Sequence, residues 1–300
     1  MKRIPIIVDT DPGVDDFFCL AIAAAYDDLF DFRAVTTIGG NNTTDVTTGN
    51  ALDILKLFHR EDVPVARGAD SYLKEKFGEP VAKFHGENGI GNVELEHSDR
   101  QIDPLCACDK IYEEAKKCGG ELVLVTVGPE TNLALAFQKH PDLRDMIAKI
   151  TVMGGSLDTG NVTEYGEANL WHDAYAAKIV FETGIPIDMI GLNTTRKAPL
   201  RKDIFDGLDA DEKIKNVMLN LIRFRNEEPM HDAIAISSLV NKKAILFRDA
   251  YTYIIEDGER RGMSVAEYDR TPNSRVAVDI DNEEYYKVIR DTICRLSAYR

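Results

Sequence analysis

An apolar run, Ile6-Ile7-Val8, leads directly into Asp9-Thr10-Asp11-Pro12-Gly13-Val14-Asp15-Asp16. The run reads as a strand ending at Asp9 and Pro12-Gly13 as a tight turn, with a helical pattern from about Val14. Four carboxylates therefore crowd one strand-to-helix turn, within eight residues. Like charges this close disfavour one another's ionised forms unless a positive charge stands among them. Residues 4–32 contain no Lys or Arg, so a metal ion is the simplest counter-charge. Carboxylate oxygens select hard cations, Ca²⁺ or Mg²⁺, over zinc or copper. Acids also suit a first helical turn because of the helix dipole, which accounts for Asp15 and Asp16. It leaves Asp9 and Asp11, which stand just past a strand's carboxyl end, where open parallel sheets bind ligands.

Strand and helix patterns alternate through the first two thirds of the chain. Strands are predicted at Ile4–Asp9, Phe32–Ile38, Val63–Ala66, Glu121–Val127, Ile150–Met153 and Ile187–Ile190. Helices are predicted at Asp15–Tyr26 (Phe17, Leu20, Ala21 and Ala24 on one face), Thr43–Phe58, Thr131–His140, Asp142–Lys149 and Ala174–Thr183. A further helix opens with Asp103 as N-cap and Pro104 at its first position and runs to about Lys117. This alternation implies an open, doubly wound, mostly parallel α/β sheet flanked by helices. Five strands then end in Asp9-Thr10-Asp11, Gly39-Gly40-Asn41, Gly128-Pro129, Gly154-Gly155 and Gly191-Leu192-Asn193 along one rim, and glycine lets backbone approach a ligand closely. Residues 68–99 break the pattern with a Gly-rich loop, Phe84-His85-Gly86-Glu87-Asn88-Gly89, of the kind that forms lids or binding loops. Residues 201–226 read as a charged, exposed helical insertion. After it Asp232 caps a helix Ala233–Leu239, a small hairpin spans Ala250–Tyr268, and Arg275–Ile280 and Asn282–Leu296 form a last strand and helix.

The 300 residues carry a net charge of −15 with pI near 4.9. Such a surface repels nucleic acid and anionic membranes, so neither is an expected partner. The cysteines (19, 106, 108, 118, 294) are odd in number and show no CxxC pair or Cys/His zinc spacing. They imply reduced thiols and a cytoplasmic protein. The apolar start is too short for a signal peptide, and no run reaches the roughly 18 apolar residues of a membrane span.

The opening motif resembles the N-terminal aspartate signature of the inosine-uridine-preferring nucleoside hydrolases. The resemblance continues through Thr37-Ile38-Gly39-Gly40-Asn41, the His85 loop, Val127-Gly128-Pro129-Glu130-Thr131-Asn132, Met153-Gly154-Gly155, Gly160-Asn161, Glu167-Ala168-Asn169 and His231-Asp232-Ala233, in that family's order. It implies one nucleoside hydrolase domain over residues 1–300, a small-molecule ribonucleoside as substrate, and a homodimer or homotetramer. It also implies a bound Ca²⁺ held by Asp11, Asp16, Asp232 and the backbone carbonyl of Val127. A water activated by that ion attacks the anomeric carbon, with Asp11 as general base and an oxocarbenium-like transition state. Asp15, Asn41 and Asn169 bind ribose hydroxyls, Asn161 and Glu167 reach the 5′-hydroxyl, and Met153 lines the sugar. His231 becomes the general acid toward the base, a role suited to a pKa near working pH; the plainer alternative is a loop histidine held by Asp232. His85 touches the base when its loop closes, or is a solvated loop residue. His59, His97, His140 and His172 read as structural or exposed, and Trp171 as packing.

Two rivals carry other chemistry. A haloacid-dehalogenase-type phosphatase also begins with a strand and Asp-x-Asp, but phosphoryl transfer calls for cations that this neighbourhood lacks. A catalytically silent nucleoside or calcium binder keeps the fold without the reaction. An EF-hand loop starting at Asp9 fails because Val14 and Leu20 stand where glycine and glutamate are needed. Base preference is left open between purine and pyrimidine.

Overall fold

The computed structural model describes residues 2–78 and 82–298; residues 79–81 of the irregular stretch, and the two ends of the 1–300 span, lie outside the described residues. The strands are β1 (Ile4–Thr10), β2 (Phe30–Thr37), β3 (Val65–Arg67), β4 (Leu122–Thr126), β5 (Ile147–Met153), β6 (Ile187–Ile190), β7 (Ile245–Ile254), β8 (Ser264–Glu267) and β9 (Ser274–Ile280). The helices are α1 (Val14–Ala25), α2 (Thr44–Leu57), α3 (Ala82–His85), α4 (Ala107–Cys118), α5 (Thr131–Lys139), α6 (Ala168–His172), α7 (Ala174–Phe181), α8 (Leu192–Thr195), α9 (Glu212–Phe224), α10 (His231–Val240) and α11 (Asn282–Ser297).

Among the described residues one nine-stranded sheet runs β3-β2-β1-β4-β5-β6-β9-β7-β8. All pairings from β3 to β9 are parallel, and β7 pairs antiparallel with both β9 and β8. The expected doubly wound sheet is therefore present, with an antiparallel edge. Its strand order reverses between β1 and β4, where such sheets open a ligand crevice. Two backbone bonds close that region: Val127 N–H to the Asp9 carbonyl (2.9 Å) and Ile38 N–H to the Thr10 carbonyl (3.0 Å). Ile6 and Val8 face one core layer and Ile7 the other, so β1 is apolar on both sides, as a central parallel strand must be.

Helix α1 departs from the one-faced reading. Every residue from Val14 to Ala25 is buried, because α1 is enclosed by α10 and α11 as well as the sheet. A helix apolar all round is a core helix, and residues 17–26 contain no charged side chain.

Other boundaries moved for local reasons. Asp103 does not cap α4: its Oδ1 accepts from Leu105 N–H (2.9 Å) in a turn of its own, and Cys106 is the N-cap. The helix predicted over 142–149 is a 3-10 turn, Pro141–Met146, followed by β5. Lys149 belongs to that strand and pairs with Asp188 of β6 (2.7 Å). The 201–226 segment is a 3-10 turn (Lys202–Phe205) and α9, and it is exposed on one side only: Ile214, Val217, Met218, Leu221 and Ile222 form a buried stripe. Asp232 is not a cap either. Helix α10 begins at His231 after Met230, which buries Asp232 in the first turn. Strand β7 starts at Ile245, before the predicted hairpin, because its first half pairs with β9. No helix of the described residues is long and apolar enough to cross a membrane.

The burial of α1 sets a stability test. Phe17 is fully buried and meets the Phe58 ring edge-on, centroids 5.1 Å apart. Phe17→Ala is expected to cost about 3–5 kcal/mol, measured as a shift in chemical denaturation; a loss under about 1 kcal/mol would contradict tight packing there.

Candidate active site

The carboxyl rim of the sheet and the N-terminus of α10 converge on one cavity of about 390 Å³. Every site candidate except Asp16 lines it: Asp11, Asp15, Asn41, His85, Val127, Met153, Asn161, Glu167, Asn169, His231 and Asp232. Asp16 lies beneath, fully buried.

The carboxylates are held in defined poses. Asp16 accepts from the Thr10 hydroxyl, from Gly13 N–H (2.8 Å) and from the Asn41 amide (3.1 Å). Asp11 Oδ2 accepts from Asn41 N–H (2.7 Å), and a Cβ on Gly40 would sit 2.2 Å from that oxygen, so only glycine fits beside it. Asp11 Oδ1 is buried with no hydrogen-bond partner. Asp15, Asp16 and Asp232 each offer an oxygen within 4.8 Å of the others; Asp11 stands outside that triple. Asp9 is turned away, accepting from the Thr36 hydroxyl (2.5 Å) and the Asn132 amide (2.9 Å).

Burial, then the charges of Asp16 and Asp15, push Asp11 well above the usual carboxylate range. Burial and Asp15 raise Asp16 to about 7. Asp232 is raised first by burial, then by all three neighbours. These shifts describe negative charge short of a counter-ion. An orphaned buried oxygen, an all-oxygen donor set and clustered carboxylates fit a hard cation.

Two positive charges do reach the cavity lining, Arg196 and Arg225. Arg225, just past α9, has a side chain only 10% exposed and pairs with Glu228 (3.0 Å). Burial alone would raise Asp15, but Arg225, His85 and His231 outweigh it and keep Asp15 below its ordinary value. Arg225 and Glu228 were hidden in a segment that reads as ordinary solvated charge, with no local signal to single them out. His172 also lines the cavity, although its sequence context suggests only a structural or exposed residue. Trp171 does pack, against Gly166, Gly262 and the Arg261 guanidinium.

His85 is buried and His231 half-buried, neither freely solvated, and desolvation pushes each down to about 4. His231 is therefore neutral at pH 7, not poised near it. Its Nδ1 lies 2.7 Å from the Thr195 hydroxyl of α8, so Asp232 is not what holds it. His85 accepts from Val14 N–H at Nδ1 (3.2 Å), already docked on α1; a Cβ on Gly13 would be 2.3 Å from that nitrogen.

The other polar residues are held by backbone. The Asn169 amide donates to the carbonyls of Val127 and Met153 (3.0 Å each). Glu167 caps α6, accepting from Asn169, Leu170 and Gly155 N–H groups; burial nevertheless raises it to about 7. Asn161 accepts from Ala168 N–H (2.9 Å). The Asn41 side-chain amide donates to the Asp11 backbone carbonyl and the Asp16 carboxylate, and its N–H to the Asp11 carboxylate, so Asn41 orders both aspartates.

Behind the rim, burial raises Glu130 from 4.5 to about 8, and its Oε2 has no partner. A raised carboxyl stabilises the fold fully below about pH 4.5, and that contribution is lost as pH rises to about 8. Glu130→Gln should remove this fall, so its denaturation midpoint relative to the unsubstituted chain should improve steadily across that window. Parallel profiles would mean Glu130 titrates normally.

The chain from residue 6 to 287 matches the family model of the inosine-uridine preferring nucleoside hydrolases. It is 31% identical to the pyrimidine-specific ribonucleoside hydrolase RihA of Shigella boydii serotype 4 and 32% identical to that of Salmonella arizonae, over 97% of this chain and 98% of each relative. A plant nucleoside hydrolase, PpNRh1, superposes with a TM-score of 0.91 at 28% identity, covering 99% of this chain and all of the other. The purine-preferring ribonucleoside hydrolase of Gardnerella vaginalis gives 0.91 at 29% identity, with the same coverage. With a match of that length laid over this rim of carboxylates, the chain belongs to the inosine-uridine preferring nucleoside hydrolase family, enzymes that cleave the N-glycosidic bonds of ribonucleosides.

Proposed function

We propose that this cavity hydrolyses a free ribonucleoside to base and ribose around a Ca²⁺ ion held by Asp11, Asp16, Asp232 and the Val127 carbonyl. The observation that carries the reading is the buried, unpartnered Asp11 Oδ1 beside carboxylates pushed upward by burial and mutual repulsion. When bound, such an ion supplies positive charge that lowers the pKa of a water and fixes sugar hydroxyls.

Asp11 takes the proton of the attacking water. Asp15, kept ionised by the Arg225 guanidinium, accepts hydrogen bonds from ribose hydroxyls. Asn169, fixed against the Val127 and Met153 carbonyls, meets the same side of the sugar, and Met153 covers its apolar face. Asn161 and Glu167 close on the 5′-hydroxyl. Held at several hydroxyls, the sugar presents its anomeric carbon in reacting geometry, which spends binding energy on orientation.

His231 serves the leaving base. We assign the Thr195 hydroxyl as donor to His231 Nδ1, which leaves the ring proton on Nε2 and makes neutral His231 a hydrogen-bond donor to the base as negative charge develops there. The tautomer set by Thr195 thus replaces a pKa near 7 as the basis of its role. Arg225 and Glu228 stand on this side of the cavity and face the base.

The first test is ribose release from inosine, uridine, cytidine and adenosine without phosphate, before and after chelation. The relatives' names include both pyrimidine-specific and purine-preferring enzymes, so the panel must cover both. Release that needs Ca²⁺ and not phosphate is expected; tight binding with no base released would favour a silent homologue. Asp11→Ala should lower turnover by at least about 10³-fold, and retained activity would refute its role as base. His231→Ala should cost about 10²–10⁴-fold on natural nucleosides and far less on a nitrophenyl riboside, whose leaving group needs little help. Equal losses on both would remove its leaving-group role.

A further inference from the structure

On the outside of the molecule, away from the cavity, Cys106 and Cys108 open α4 with sulfurs 3.2 Å apart. Asp109 brings Oδ2 to 3.3 Å from the Cys106 sulfur, and one atom from each of these three residues falls within 4.8 Å of the others. A fourth donor arrives from a different element. His140, at the end of α5, sets Nε2 3.0 Å from Asp109 Oδ1. Its ring is fixed by stacking on Tyr112, centroids 3.9 Å apart and 1° from parallel, and the Tyr112 hydroxyl donates to Asp142 (2.8 Å).

We propose that Cys106, Cys108, Asp109 and His140 bind one thiophilic divalent cation, with Zn²⁺ the best fit. Two sulfurs, an imidazole nitrogen and a carboxylate oxygen are a tetrahedral zinc donor set. With Zn–S bonds of about 2.3 Å and Zn–N and Zn–O bonds of about 2.0 Å, a tetrahedron spaces S and S by about 3.8 Å, S and O by about 3.5 Å, and N and O by about 3.3 Å. The observed separations are each slightly shorter, with the Cys106 sulfur on Asp109 Oδ2 and the imidazole on Oδ1, so the ion enters by spreading the gathered Cys106, Cys108 and Asp109 and drawing His140 in from the far side of the carboxylate. Access is open, because Cys106 is exposed and Cys108 and Asp109 half-buried.

The charges also balance. Metal binding releases both thiol protons to solvent, leaving two thiolates and one carboxylate around the ion. Lys139 Nζ lies 2.8 Å from each Asp109 oxygen and offsets the negative charge that a divalent ion leaves over. Donor softness keeps this site distinct from the cavity: thiolates select zinc-like ions, whereas an all-oxygen carboxylate set selects calcium-like ones. The result is a clasp between the start of α4 and the end of α5. Linear spacing conceals it, because the fourth donor is far along the chain.

The test uses the full chain, reduced, with Ca²⁺ present, titrated with Cd²⁺ and with Zn²⁺. A single equivalent of Cd²⁺ should bind with sulfur-to-metal ultraviolet absorption, and Zn²⁺ should raise the thermal unfolding temperature. Cys106→Ser with Cys108→Ser should abolish the absorption band, and His140→Asn should weaken Zn²⁺ binding by at least about tenfold, each with unchanged ribose release. No band in the unsubstituted chain overturns the proposal. So does a band that survives the double serine variant, which would point to Cys118 or Cys294, and so does a Cys106–Cys108 disulfide forming in the reduced sample. Should the double variant fail to fold, Cys106→Ser alone removes one thiolate and should roughly halve the band; an unchanged band would overturn the proposal.

Discussion

Everything at the rim depends on burying like charge. An ionised carboxylate removed from water costs several kcal/mol even after the protein relaxes, yet Asp11, Asp16 and Asp232 are all buried side by side. Hydroxyl and amide donors from Thr10, Asn41 and Gly13 orient two of them without neutralising any. Arg225 compensates only Asp15 to the point of a lowered pKa. The rest of the molecule supports this arrangement: a central strand apolar on both sides, a core helix without charge beyond its first turn, and glycines wherever a Cβ would strike an aspartate.

The parallel sheet was legible because its signals are local. Apolar runs closed by Gly39-Gly40, Gly128 or Gly154-Gly155 mark strand ends, and their common direction puts them on one rim. Helix boundaries at Cys106 and Pro141 were not legible, since Asp103-Pro104 and the residues after Pro141 satisfy their own backbone locally and do not continue a helix. Strand β7 was only half visible, because its first half takes a partner, β9, that comes later in the chain.

The site divides in the same way. Asp11 and Asp16 stand out as crowded carboxylates at a strand's end, whereas Asn169 and His231 could be named only through the family resemblance; the structure brings Asp11, Asn169 and His231 to one cavity. Arg225 and Glu228 could not, because only tertiary packing distinguishes them from the other charges of a polar segment. The protonation state of His231 was also out of reach. Burial depends on three-dimensional neighbours, and here it holds both cavity histidines neutral.

Helix α1 delivers Asp15 and Asp16 from the first strand crossover, whereas Asp232 and His231 come from α10, and the two helices lie against each other in the core. The acidic cluster is thus assembled from chain segments made early and late during synthesis. An emerging polypeptide leaves open the faces of α1 that α10 and α11 cover until its last third has left the ribosome. Chaperone occupancy should therefore persist through most of translation, and the complete acidic cluster should appear abruptly near its end.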